Sequence, residues 1–202
     1  FRRVLFRSAG LRALAGTVNN VLQLYGQSAP PPAPLDLSEL LLATCEFLRP
    51  LADQWQVRLA PELPQEPCIV AGVEHQLQQV LLNIAMNAFR VSPPGSRLTI
   101  CLKPSALFTE VSITDDGPGI PPELVERIFE PGFSTRTDSP GIGLAVSRRI
   151  VEQYGGTLTA ANAPGRGACF TLTIPVSPPS TSPNESDSSC NFASLLTLES
   201  TR

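Results

Sequence analysis

Histidine is nearly missing from this 202-residue chain, which holds one, His75. Its five cysteines, Cys45, Cys68, Cys101, Cys169 and Cys190, are scattered, odd in number and without a Cys-x-x-Cys pair. That spacing disfavours a metal or disulfide scaffold. It predicts buried thiols in a reducing compartment instead, with Cys101 and Cys169 embedded in strand-like runs. Charge of one sign is lacking too: 15 Lys and Arg stand against 18 Asp and Glu, a net −3. Without a basic field the chain has nothing to attract a nucleic-acid backbone or an anionic membrane. The longest apolar runs, such as 40–45, fall far short of the roughly 18 residues a bilayer span needs, and no signal-peptide pattern opens the sequence. The expectation is a soluble, cytoplasmic piece that makes no membrane contact.

The length suits one domain with trimmings, and there are no internal repeats. Residues 1–8 have neither a helix cap nor an assignable role and are expected to be a non-native leader. From 11 to 25, Leu11, Leu14, Val18, Val21, Leu22 and Tyr25 recur at three- and four-residue spacing, which predicts an amphipathic helix ended by Gly26. Four prolines within 28–34 predict a stiff linker, so the domain is expected to span 35–176. Ser38 is the expected cap of a helix reaching about residue 54, with Leu40, Leu41, Phe47, Leu48 and Leu51 on its buried side. Short strands are expected at 57–59 and 68–71. A long helix over 73–91 follows, with Leu77, Val80, Leu81, Ile84 and Ala88 on one face.

Residues 97–102 and 110–114 alternate apolar and polar, as antiparallel strands with one buried face do. A short helix at 122–129, a Gly-, Ser- and Thr-rich loop to Gly143, and a helix at 144–154 come next. Strands at 157–161 and 169–176, joined by a turn at Gly165 and Gly167, complete the domain. Residues 177–202 have the composition of a disordered tail.

Three features carry chemistry. Asn83, Asn87 and Arg90 fall on one stripe of the long helix. Asp115 ends an apolar strand, where a carboxylate is poorly placed unless it accepts hydrogen bonds, and Gly117 and Gly119 follow it. Gly141 and Gly143 precede a helix whose free N–H groups favour an anion. Each alone is explained equally well by a solvated face or a plain turn.

Together they resemble the histidine-kinase branch of the superfamily that also holds DNA gyrase, the Hsp90 chaperones and MutL. The likeness covers about 35–176 and rests on five boxes in family order: Gln79-Val-Leu-Leu-Asn-Ile-Ala-Met-Asn-Ala88, Asp115-Asp-Gly-Pro-Gly-Ile120, Phe129-Glu-Pro-Gly-Phe-Ser-Thr-Arg136, Gly141-Ile-Gly-Leu-Ala145 and Gly165-Arg-Gly-Ala-Cys-Phe170. The resemblance implies an α/β two-layer sandwich with a mixed sheet, the Bergerat-type ATP-binding fold. It implies that Asp115 accepts a hydrogen bond from the adenine amino group. Asn87 would ligate Mg²⁺ and Arg90 would contact phosphates. Gly117, Gly119 and Ile120 would floor the ATP pocket, and Phe129 and Phe133 would anchor a lid carrying Thr135 and Arg136. Gly141, Gly143 and Leu144 would offer N–H groups to the phosphates. Asn83 stands where hydrolysing relatives carry a glutamate base, which favours kinase over ATPase.

By the same resemblance, residues 9–27 are the end of a dimerisation hairpin, and the phosphoacceptor histidine lies upstream. The intact protein would be a homodimer through that hairpin and would pass its phosphoryl group to a response regulator receiver domain. His75 is expected to be a solvated side chain. Ala168, where the family commonly has Thr, and Gly132 and Pro140 depart from the pattern. Two alternatives remain open: a catalytically lapsed nucleotide-binding interaction module, and an ATPase or anti-sigma serine kinase of the same superfamily.

Overall fold

The structure is a computed structural model, which describes residues 30–136 and 139–176. The chain runs β1 (Ala33–Asp36), α1 (Leu37–Trp55), β2 (Arg58–Glu62), β3 (Ile69–Gly72), α2 (Glu74–Val91), β4 (Arg97–Pro104) and β5 (Phe108–Asp115). Two 3-10 turns (Pro122–Leu124 and Arg127–Phe129), α3 (Gly143–Gln153), β6 (Thr157–Asn162) and β7 (Ala168–Pro175) complete it. Five strands form a mixed sheet in the order β2-β4-β5-β7-β6, in which β2 runs parallel to β4 and the other pairs are antiparallel.

Alternation at a period of two sorts the strand residues between faces. Leu98, Ile100, Leu102, Val111, Ile113, Phe170, Leu172 and Ile174 are buried together under the helices. Cys101 and Cys169 fall on the opposite face and are half-buried, whereas the buried thiols are Cys45, in α1, and Cys68. The expectation that Cys101 and Cys169 are core thiols is thus corrected by strand parity. Helices cover one face of the sheet, with α1 over β2, α2 over the centre and α3 over β6 and β7. This is the expected two-layer α/β sandwich.

Several local expectations shift. Within the expected linker, Ala33 and Pro34 are already in strand β1 and pair with Gly72 and Ala71 across the β1–β3 ribbon. Proline is tolerated there because an edge strand does not need every donor. The cap of α1 is Asp36, not Ser38: its Oδ1 accepts from Ser38 N at 2.9 Å and from Cys68 N at 3.0 Å, so one carboxylate starts the helix and ties it to the second strand of the ribbon. Phe47 is 62% exposed, since it lies beyond the edge of the stripe formed by Leu41, Cys45, Leu48 and Ala52. Strand β2 extends to Glu62, through Pro61. The helix expected at 122–129 is two separate 3-10 turns, neither with a side-chain cap. The leader 1–8, the hairpin end 9–27 and the tail 177–202 lie outside the described residues.

Edge strand β2 has one outward feature. Arg58 N donates to Ser96 O at 2.9 Å, so the backbone groups of Arg58, Ala60 and Glu62 face β4 and those of Leu59 and Pro61 face away from it, while the Leu59 side chain packs against the core.

Candidate functional site: a buried carboxylate and two pinned helices

Strand β5 carries a carboxylate to the helix-facing side. Thr109, Val111, Ile113 and Asp115 alternate onto the buried face, so Asp115 takes a position that would otherwise suit an apolar residue. It is 2% exposed. Its Oδ1 accepts from Gly117 N at 2.7 Å and from Ala168 N at 3.2 Å. Burial pushes the carboxyl above the ordinary range, the two backbone bonds pull it down, and neighbouring Asp116 adds a smaller push upward. Both bonds fall on Oδ1, which leaves Oδ2 as an acceptor for a donor entering the pocket. Gly167 makes this possible. Its φ is +88°, and a Cβ there would lie 1.7 Å from the Asp115 carbonyl oxygen, so only glycine lets the start of β7 close over the carboxylate.

The turn after Asp115 is fastened to the far strand. Ile120 N donates to Asn162 Oδ1 at 2.6 Å, and Asn162 Nδ2 donates back to Ile120 O at 2.8 Å. Arg166 Nε reaches Gly117 O at 3.4 Å. Gly117 and Gly119 therefore lie in a strap held at both ends, and Ile120 packs against the core.

Helices α2 and α3 run antiparallel and are pinned twice. At one end the Tyr154 hydroxyl accepts from Val73 N at 3.2 Å and donates to the buried Gln76 Oε1. Burial holds this phenol above its ordinary pKa. Near the other end Asn83 Nδ2 donates to Gly143 O and to Ser147 Oγ, both at 3.1 Å. Asn87 is one turn further along α2, about 6 Å at 1.5 Å per residue. It therefore lies one turn past the level at which Asn83 meets Gly143. The Asn87 side chain is half-buried and makes no hydrogen bond to a described residue. Arg90 follows, exposed, on the same stripe.

The first turn of α3 has no side-chain cap, so the N–H groups of Gly143, Leu144 and Ala145 stay available to an anion. Gly141 just before it has φ +67°, and a Cβ there would fall 2.4 Å from Phe133 O. Gly132 N donates to Gly141 O at 3.1 Å and draws the two ends of the loop expected to form a lid together. Phe129 is buried beneath Arg148, whose guanidinium carbon lies 4.7 Å from the ring centroid. Phe133 sits 4.8 Å from Arg127 in the same manner. Thr135 and Arg136 are exposed on the lid, in a turn where Arg136 N donates to Ser134 Oγ at 3.0 Å.

Asp115, Gly117, Gly119 and Ile120 are held together at the end of β5, Gly141, Gly143 and Leu144 stand at the start of α3, and Asn83 ties that start to the helix carrying Asn87 and Arg90; Phe129 is buried, and Thr135 and Arg136 are exposed. Asn83, on the same stripe, is engaged by α3 through its bonds to Gly143 O and Ser147 Oγ. His75 is exposed at the start of α2, in accord with a solvated side chain. Gln79, Ser147, Arg148, Asn162 and Arg166 were not expected to contribute. Gln79 could have been found, because it stands four residues before Asn83 on one helix face. The others depend on long-range register. Among the described residues no cluster of three His, Cys, Asp or Glu could hold a metal ion. A divalent cation here fits the free amide oxygen of Asn87, a hard donor, provided phosphate and water supply the remaining oxygens.

Known proteins share this sequence pattern and fold. The chain is 37% identical over 154 residues to the adaptive-response sensory kinase SasA of Parasynechococcus marenigrum, covering 72% of this chain and 39% of that protein. It is 35% identical over 143 residues to the sensor histidine kinase ZraS of Klebsiella oxytoca, covering 70% of this chain and 31% of that one. The chain thus spans well under half the length of these relatives. Among solved structures, the mycobacterial sensor histidine kinase MprB aligns with TM-score 0.65 and 29% identity, covering 73% of this chain and 99% of that one. Full-length ShkA in complex with AMPPNP aligns with TM-score 0.72 and 28% identity, covering 86% of this chain and 38% of that one. Residues 72–178 match the family model described as histidine kinase-, DNA gyrase B- and HSP90-like ATPase, and the chain belongs to that family.

Proposed function

We propose that this domain binds MgATP and, in the intact protein, presents the γ-phosphoryl group to a histidine on an upstream helix, from which it passes to a response regulator receiver domain. The observation that carries the kinase reading is the state of Asn83. Its amide donates twice to α3, so no base stands where a hydrolase would activate water. Phosphoryl transfer to an imidazole needs no such base, because the acceptor is itself a nucleophile and catalysis is mostly positioning and charge stabilisation.

The residues divide the work. Asp115 Oδ2 selects adenine by accepting from its amino group, and a base lacking that donor would leave the buried carboxylate unpaired. Asn87 holds Mg²⁺, which when bound supplies charge neutralisation at the phosphate oxygens. Arg90 and the open N–H groups at the start of α3 orient the phosphate chain. Gly117, Gly119 and Ile120 form the floor, while Phe129, Thr135 and Arg136 close the flap. Two relatives lend support: ShkA was solved with AMPPNP, and the histidine kinase ThkA, with TM-score 0.72 and 25% identity, in complex with the response regulator TrrA. Assembly as a homodimer through an upstream hairpin, and a cytoplasmic setting, belong to the same proposal.

The test is to incubate the purified chain with γ-labelled ATP and Mg²⁺. The expected result is saturable nucleotide binding, negligible phosphate release and no label on the chain. Rapid hydrolysis would favour an ATPase, and label on His75 would overturn the assignment of an upstream acceptor.

A further inference from the structure

The contact between α2 and α3 at the pocket is a four-member network, and one member fixes the orientation of the rest. Gln79 Nε2 donates to Asn83 Oδ1 at 2.9 Å. With its oxygen so engaged, the Asn83 amide turns both N–H bonds toward α3, one to Gly143 O and one to Ser147 Oγ. The Ser147 hydroxyl in turn donates to Gly143 O at 2.9 Å, and this side chain is 0% exposed. A Cβ on Gly143 would stand 3.5 Å from Asn83 Cγ, in ordinary contact, so the amide lies against the first residue of the helix. The clip therefore grips α3 at the residue whose N–H group opens the anion site. Asn87 is carried by the same helix as Asn83, one turn away.

We infer that Gln79 and Ser147 are positioning residues for the phosphate half of the site. Gln79 holds Asn83 as a double donor, Ser147 completes the grip on Gly143, and together they set the gap between Asn87 and the first turn of α3. This role rests on the nucleotide reading given above. The orientation makes an unusual demand: glutamate at 79, nearly isosteric with glutamine, is worse than an apolar residue. A carboxylate there can only accept, so it draws Asn83 Nδ2 toward itself and turns Oδ1 against the Gly143 carbonyl, setting acceptor against acceptor. Methionine leaves the amide free to keep its bonds to α3.

The test measures affinity for an ATP analogue with Mg²⁺ and for adenosine in the wild type, Gln79→Glu, Gln79→Met, Ser147→Ala and Tyr154→Phe. The last variant cuts the pin at the far end of the helix pair and serves as the control for general loosening. Expected is an ATP-to-adenosine affinity ratio lowered about tenfold in Gln79→Glu and in Ser147→Ala, but no more than about threefold in Gln79→Met. Tyr154→Phe lowers Tm and leaves the ratio unchanged. Repeating the Gln79→Glu titration at high salt removes simple repulsion between the added charge and the phosphates. Hydrogen exchange of the amides at 144–147, measured without nucleotide, is expected to be faster in Gln79→Glu than in Gln79→Met.

Equal ratios for Gln79→Glu and Gln79→Met, or a Tyr154→Phe ratio as low as that of Ser147→Ala, would overturn the positioning role. A wild type that binds neither compound would overturn the nucleotide reading and this role with it. The exchange data would then still report whether Gln79 orients Asn83.

Discussion

Replacing Asp115 by Asn separates what the carboxylate does for a ligand from what it does to the fold. The asparagine must keep Oδ1 toward Gly117 N and Ala168 N, because those buried donors need an acceptor. Its Nδ2 then occupies the place of Oδ2 and faces the adenine amino group, donor against donor. A hydrogen bond to a charged acceptor contributes about 1.5–3 kcal/mol, and each 1.4 kcal/mol is tenfold in affinity. Leaving both donors unpaired puts the loss toward the upper end, about 100-fold. Inosine triphosphate, which presents a carbonyl in place of that amino group, should lose less, so the preference for ATP narrows.

The apo stability should move the other way. Burial raises the folded pKa of Asp115 above its ordinary value of 3.8, so the folded state binds the proton more tightly than the unfolded chain. The wild type therefore gains stability as pH falls through the interval between 3.8 and the higher folded value, and stands at its lower plateau above both. The asparagine variant carries no such penalty. Its Tm at neutral pH should exceed that of the wild type, and the advantage should fade as pH drops through that interval. Calorimetric titration with an ATP analogue and thermal melts across pH measure both halves. A variant that binds within about threefold of wild type, or that melts lower with unchanged pH dependence, would refute the reasoning.

Two further outcomes are expected. Asn87→Ala should abolish the dependence of ATP-analogue affinity on Mg²⁺ while leaving Mg²⁺-free affinity nearly unchanged, as titrations with and without chelator would show. Gly167→Ala forces a Cβ into the Asp115 carbonyl and a side chain onto φ +88°, so the chain should lose about 3 kcal/mol or more, or fail to fold. Denaturant melts read that loss, and a loss under about 1 kcal/mol would contradict it.

Much of the architecture was legible because period and punctuation agree. The long helix with Leu77, Val80, Leu81, Ile84 and Ala88, the alternating strands, and the Gly165 and Gly167 turn are local signals that tertiary packing reinforces. Phe47 misled because a single large residue at the margin of a helical stripe is decided by the width of the neighbouring surface, which periodicity does not report. Cys101 and Cys169 misled in a similar way, since which parity of a strand faces the helices depends on the whole sheet. Asp36 was overlooked as a cap because its second partner, Cys68 N, is 32 residues away. In the candidate site, motif order picked out the Asp115 turn and the glycines before α3, which the structure finds at the end of β5 and the start of a helix. Motif order could not show that Asn83 is engaged by Gly143 and Ser147, or that Asn162 fastens the Gly119 turn, because those partners meet only through the antiparallel packing of α2 on α3 and the register of β6.

Pro61 has a bearing on how copies of the domain behave in crowded solution. An exposed strand border is a template: unpaired amides along it recruit the backbone of a neighbour, and growth by that route ends in filaments. The backbone groups of Leu59 and Pro61 are those of β2 that face away from β4, and proline has no amide hydrogen to give. The border at β2 therefore offers a single donor where a zipper needs a row. Copies of this domain are thereby kept from adding to one another strand by strand along that rim.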